Sequence, residues 1–141
     1  MLYDSMPESR NIDAGTTLDL YEKIPYLPDI DAVDVLDLGG NFPSMSGDLI
    51  ISSRIVTVEG ELAQQVAHLW RQLTPGMSAR CHMPPFGLRF YVKEKLVLQA
   101  SMCWECDNMY LWERSSNFLY GLDLGQPSAK ELFSLLDEIM K

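Results

Sequence analysis

The chain has 141 residues, 47% of them hydrophobic and 10% aromatic, and carries a formal net charge of -9. That is the size of one domain with one core, and the apolar content excludes a chain disordered throughout. No apolar run approaches the roughly 20 residues that cross a bilayer, and the acidity disfavours phosphate backbones and anionic lipid, so neither nucleic acid nor membrane is expected as a partner.

The first residues, Met1-Leu2-Tyr3-Asp4, lack the basic start of a signal peptide, and a cytoplasmic location is the expectation. Residues 1–48 read as an acidic, irregular part, because Pro7, Pro25, Pro28, Pro43 and the turn-prone Gly39-Gly40-Asn41 interrupt every candidate element. Two short strands are expected there, over 17–21 and 32–38, although Asp34 and Asp37 spoil the alternation of the second. Ten of the 20 acids but only three of the 11 bases precede Glu59. Within that acidic half, Asp29, Asp31, Asp34 and Asp37, with Tyr26 and Leu27 as apolar anchors, form the candidate surface for a basic partner protein. A loop that is merely well solvated is the competing reading of the same acids.

Residues 49–141 read as a strand-helix-meander-helix core, all of it within a single domain spanning 1–141. The β-branched run through 48–58 predicts a strand leading straight into a helix. That helix, over about 59–73, follows from Leu62, Val66, Leu69 and Leu73, which recur on one helical stripe until Thr74-Pro75-Gly76 ends it. His68 lies beside the stripe and is assigned to packing.

Four strand signals follow with short links, over 87–93, 96–104, 108–114 and 118–122, which predicts an antiparallel meander. Its first turn is expected at Glu94-Lys95, residues poorly suited to positive φ. Alternation in the second of these strands places Leu98, Ala100, Met102 and Trp104 on one face and Gln99, Ser101 and Cys103 on the other. Ser128 and Glu131 suggest a capping box at the start of a last helix, over about 128–140, with the stripe Leu132, Leu135, Leu136 and Ile139. The fold class is therefore α+β: an antiparallel meander of about four to six strands packed with two amphipathic helices.

The three cysteines gather in Cys81-His82 and Cys103-Trp104-Glu105-Cys106. An odd number fits a reducing compartment and predicts free thiols at rest. Cys81, His82, Cys103 and Cys106 are the right residue types for a tetrahedral zinc site, though neighbouring side chains such as Cys81 and His82 tend to diverge. The Cys-x-x-Cys spacing also suits thiol-redox work, but Glu105 and Asp107 set negative charge beside the sulfurs and disfavour the thiolate. The third reading is that of small buried hydrophobes beside Trp104. No Gly-x-Ser-x-Gly, His-Glu-x-x-His or phosphate-binding lysine loop occurs, and no catalytic residue is assigned.

From Cys81-His82-Met83-Pro84-Pro85-Phe86-Gly87-Leu88-Arg89-Phe90-Tyr91 to Ser101-Met102-Cys103-Trp104-Glu105-Cys106-Asp107-Asn108, the chain resembles a family of small bacterial proteins. These share a Cys-His-x-Pro segment, a Gly-Leu-Arg-Phe-like strand and a Cys-aromatic-Glu-Cys strand end, followed by a further strand and a C-terminal helix. The resemblance covers about the second half of the chain. It implies an α+β fold and a bacterial source, and it transfers no catalytic or binding residue.

Two functions are expected from these observations. One is a non-catalytic inhibitor or immunity-type module whose acids cover a basic toxin or enzyme; the other is a zinc-binding or thiol-redox protein built on the Cys/His cluster.

Overall fold

The structure, a computed structural model, describes residues 24–113 and 116–141. The strand expected over 17–21 lies outside them. The described elements run β1 Ala32–Asp37, β2 Ser44–Ser46, β3 Leu49–Ile51, β4 Ile55–Glu59, α1 Gly60–Arg71, β5 Phe86–Val92, β6 Lys95–Cys103, β7 Asn108–Glu113, β8 Ser116–Gly121 and α2 Pro127–Ile139. Six strands form one sheet in the order β4-β1-β5-β6-β7-β8, and β2 pairs with β3 in a small second sheet. Every pairing is antiparallel. The α+β architecture with its meander is therefore present, in β5 to β8.

The two sheet faces differ because alternate residues differ in chemistry. On one face Val33, Val35, Leu88, Phe90, Ala100, Met102, Met109, Leu111 and Tyr120 are buried with Ala63, Val66, Ala67 and Trp70 of α1 and Ala129, Leu132 and Leu136 of α2. Trp70 meets Phe90 edge-on at 5.1 Å between ring centroids. Each large side chain removed from water here contributes about 1.5–3 kcal/mol. The opposite face carries a smaller apolar cluster of Leu36, Leu38, Ile50 and Trp112, and the buried polar residues Asp34, Arg89, Gln99, Ser101 and Asn108.

Local departures from the sequence reading have identifiable causes. The 48–58 run is broken into β3 and β4, which belong to different sheets. Ser52 turns the chain between them: its hydroxyl donates to the Asp37 carbonyl at 2.6 Å and accepts the Arg54 N–H at 3.2 Å. β4 then runs into α1 through Gly60 at φ +63°, a conformation that suits glycine. The meander's first turn is Lys93-Glu94, one residue earlier than expected, with φ of 49° and 68°. The Asp31 carboxylate accepts the Lys93 N–H at 2.8 Å and steadies that turn without glycine.

The last helix starts at Pro127, with Gln126 as its N-cap and no side-chain cap, so the Ser128 capping box is not formed. Proline has no N–H to satisfy and its fixed φ starts the helix one residue early. The Gln126 side chain donates instead to the Gln72 carbonyl at the end of α1, at 3.0 Å. Gly76 and Gly121 lie back to back, with the Gly76 N–H on the Gly121 carbonyl at 3.1 Å, and a Cβ on Gly121 would collide with the Gly76 backbone.

Within the described part of the acidic segment, residues 24–31 form no helix or strand, and β1 stands where the second short strand was expected. β1 lies inside the main sheet between β4 and β5, and residues 24–31 are pinned along α1. Arg71 donates to the Leu27 carbonyl at 3.1 Å and the Pro28 carbonyl at 2.7 Å, and Gln64 donates to the Ile30 carbonyl at 2.7 Å.

Candidate functional site

The polar face of the sheet is held by paired charges and amides. Asp34 and Arg89 sit directly opposite each other on β1 and β5, and their ion pair closes at 2.9 Å with both side chains 10% exposed. The Asp34 carboxylate also accepts the Tyr91 hydroxyl at 3.0 Å and the Thr57 hydroxyl at 2.6 Å. Burial pushes the Tyr91 phenol up, Arg89 pulls it down and Asp34 raises it further. Arg89 reaches on to the Ile50 carbonyl at 3.3 Å, while Gln99 accepts the Ile50 N–H at 3.0 Å and donates to the Asp48 carbonyl. These bonds fix the β2-β3 hairpin over this face.

At the far end of the same face, residues 78–85 cross the β6-β7 turn. The Ala79 N–H donates to the Cys106 carbonyl at 2.8 Å, and the Leu38 and Gly40 N–H groups hold the Pro85 and Pro84 carbonyls at 2.9 and 3.0 Å. Asn108 is the organiser of this region. Its amide nitrogen lies 2.8 Å from the Cys81 carbonyl, 3.3 Å from that of Ala79 and 3.0 Å from the Ser78 hydroxyl. With its N–H groups so engaged, Asn108 offers His82 its oxygen, 2.7 Å from Nδ1. His82 therefore carries its proton on Nδ1, and Nε2 accepts the Ser101 hydroxyl at 2.7 Å. Burial lowers the His82 pKa from its ordinary value, against an upward pull from the Asn108 bond. Its ring stands edge-on to Tyr110 at 4.7 Å and Phe42 at 5.8 Å.

The three sulfurs meet here. Cys103 and Cys106 are joined in a disulfide across a turn that brings their Cα atoms to 5.2 Å, so the expected resting thiols are corrected for this pair. Asp107, at φ 53°, closes that turn. Cys81 is a free, exposed thiol whose Sγ lies 3.5 Å from Cys106 Sγ, and the Met83 N–H points at the same sulfur at 3.4 Å. Cys103 faces away from Trp104, as the strand alternation requires: Trp104 packs toward the helices and donates to the Ala129 carbonyl at 2.9 Å.

The four candidate zinc ligands are neighbours, yet two sulfurs are bonded to each other and both His82 nitrogens have other partners. Among the described residues no group of three or more His, Cys, Asp or Glu is placed to hold a metal ion. Beside the disulfide opens a cavity of about 780 Å³ lined by Met83, Cys103, Trp104, Lys130 and Phe133 among others.

The acidic candidates separate on inspection. Tyr26 is 80% exposed, and Asp29, Asp31 and Asp37 are at the surface. Leu27 is 1% exposed and belongs to the core, because Arg71 holds its backbone against α1; it is no partner anchor. Asp34 is 7% exposed and committed to Arg89, which removes it from any surface contact. Asp37 accepts the Gly39 N–H at 3.0 Å and lies 3.9 Å from Arg54. Sequence reading missed Asn108 and Ser101 as partners of His82. The one available signal was their position: alternation sets Ser101 on the face of Cys103, and Cys103 pairs with Asn108.

The chain lacks any helix long and apolar enough to cross a membrane among the described residues. Comparison with protein-family models, with curated proteins and with solved structures gave no match.

Proposed function

We propose that this chain is a non-catalytic protein-binding module, an acidic inhibitor or immunity-type protein that neutralises a basic toxin or enzyme. The observation that carries this reading is the fixed presentation of residues 24–31. Their carbonyls are tied to Arg71 and Gln64 of α1, so Tyr26 projects with Asp29 and Asp31 from a backbone that needs little further ordering to bind. An exposed tyrosine among carboxylates suits a basic surface, since the ring fills area at low entropic cost while the acids steer encounter. The contact set is then Tyr26, Asp29, Asp31 and Asp37. A net charge of -9 adds long-range attraction for a cationic partner.

The test is capture of a basic partner on the immobilised full chain, followed by association kinetics against ionic strength. Nanomolar binding is expected, with an on-rate that falls as salt rises and an affinity that drops about tenfold or more in Tyr26→Ala, the scale of a modest hot spot. Salt-independent, weak association that is indifferent to Tyr26→Ala and Asp29→Asn would refute it, as would equal binding to an unrelated basic protein.

A further inference from the structure

We infer that Cys81 is a relay thiol through which the buried Cys103–Cys106 disulfide exchanges electrons with thiols and disulfides outside the protein. This activity is independent of partner binding. Three observations combine to give it. Cys103 and Cys106 are 1% and 0% exposed, so neither sulfur is open to an external thiol. Cys81 is exposed, and its sulfur is in contact with one sulfur of the pair, at 3.5 Å from Cys106 Sγ. The segment bearing Cys81 is also fixed in place by Asn108, by the Ala79 N–H on the Cys106 carbonyl and by the Pro84 and Pro85 carbonyls. The contact is thus built into the fold, and the nucleophile needs no search to find its target.

Exchange proceeds by attack of a thiolate on a disulfide sulfur. Cys81, its proton given to solvent, attacks Cys106 Sγ; the Cys81–Cys106 bond forms, the Cys103–Cys106 bond breaks, and its electron pair leaves on Cys103, which takes up a proton. No oxidant or reductant is consumed in this step. The disulfide now includes an exposed sulfur. An external thiolate such as that of glutathione attacks Cys81 Sγ, giving a mixed disulfide and releasing Cys106 as a thiol after protonation. A second glutathione thiolate attacks the glutathione sulfur of that mixed disulfide and frees Cys81. In sum two glutathione thiols become one oxidised glutathione, and the buried disulfide becomes two thiols. Oxidised glutathione drives the same steps in reverse.

The intermediate moves the free thiol from the outer loop to Cys103, on the wall of the 780 Å³ cavity beside Trp104 and Phe133.

The experiment compares the native full-length protein with Cys81→Ser. The rate at which reduced glutathione opens the Cys103–Cys106 bond, or oxidised glutathione forms it, is followed by acid quenching, alkylation and peptide mapping. Cys81 is exposed, so the serine variant retains the fold, which circular dichroism verifies. The rate is expected to fall about tenfold or more in the variant, because the buried sulfurs then react only through local opening. An unchanged rate overturns the proposal and means that glutathione reaches the disulfide without Cys81. Cys103→Ser supplies a second readout, since its Cys81 and Cys106 must link on mild oxidation. A folded Cys103→Ser protein that keeps both thiols free also overturns it.

Discussion

Replacing Asp34 by alanine removes half of a buried ion pair and leaves the other half where it is. Among the described residues Arg89 then retains only the 3.3 Å bond to the Ile50 carbonyl, and its Nε already has no partner there. Thr57 is exposed and Tyr91 half-buried, so both hydroxyls can turn to water, and the cost falls on the guanidinium. With both side chains only 10% exposed, solvent screens little of it. Leaving such a charge unpaired costs about 3–5 kcal/mol, a large share of the roughly 5–15 kcal/mol that holds a domain together. Urea unfolding followed by circular dichroism measures it, as a lower midpoint at unchanged slope. The double variant Asp34→Leu with Arg89→Met removes both charges and is expected to regain most of the loss. A loss below about 1 kcal/mol for Asp34→Ala would refute the reasoning, since that is the range of an exposed pair. It would also return Asp34 to the list of possible partner contacts.

Acid sensitivity is expected from His82. Its pKa is lowered from 6.5 in the folded chain, so the unfolded chain binds the proton more readily. The stabilisation is complete above about pH 6.5 and is lost as pH falls from there through the folded value; thermal unfolding near pH 5 and pH 7.5 should therefore differ more in the native protein than in His82→Gln. An equal pH dependence in the two removes the assignment. Asn108→Ala strips the Cys81 carbonyl and His82 Nδ1–H of their partner, at about 1–3 kcal/mol. Limited proteolysis should then cut first within residues 78–85, and an unaltered cleavage pattern would contradict the organising role of Asn108.

Elements with a regular pattern were legible in the chain, and those set by distant pairing were not. The alternation from Leu96 to Trp104 assigns Cys103 to the face opposite Trp104, and the sheet places it there because β6 is flanked on both sides and cannot slip. The stripe of Leu62, Val66 and Leu69 likewise marks α1, although the structure adds Ala63, Ala67 and Trp70 to its buried side. Asp34 obscures β1 because a carboxylate reads as surface until Arg89 is set opposite it, and that pairing depends on β1 lying beside β5. Leu27 is misread for the mirror-image reason: its irregular, proline-flanked surroundings look like loop, and only the Arg71 bonds draw it inward. For the cysteines, spacing supplies the Cys103–Cys106 turn, whereas the approach of Cys81 depends on Asn108 and on backbone bonds from residues 38 and 40.

The insertion of β1 between β4 and β5 orders the assembly of the chain in time. β5 to β8 follow one another closely along the chain and pair with their sequence neighbours, so their pairings form early. β1 must bring Ala32 to Tyr91 and Asp37 to Phe86 across a long intervening chain, and pay the loop-closure entropy before any ladder bond rewards it. Until it docks, β4 and β5 each expose a row of unpaired amides, the template on which chains join edge to edge. Refolding at high protein concentration therefore races against self-association, and a fragment that begins after β1 keeps both bare edges permanently.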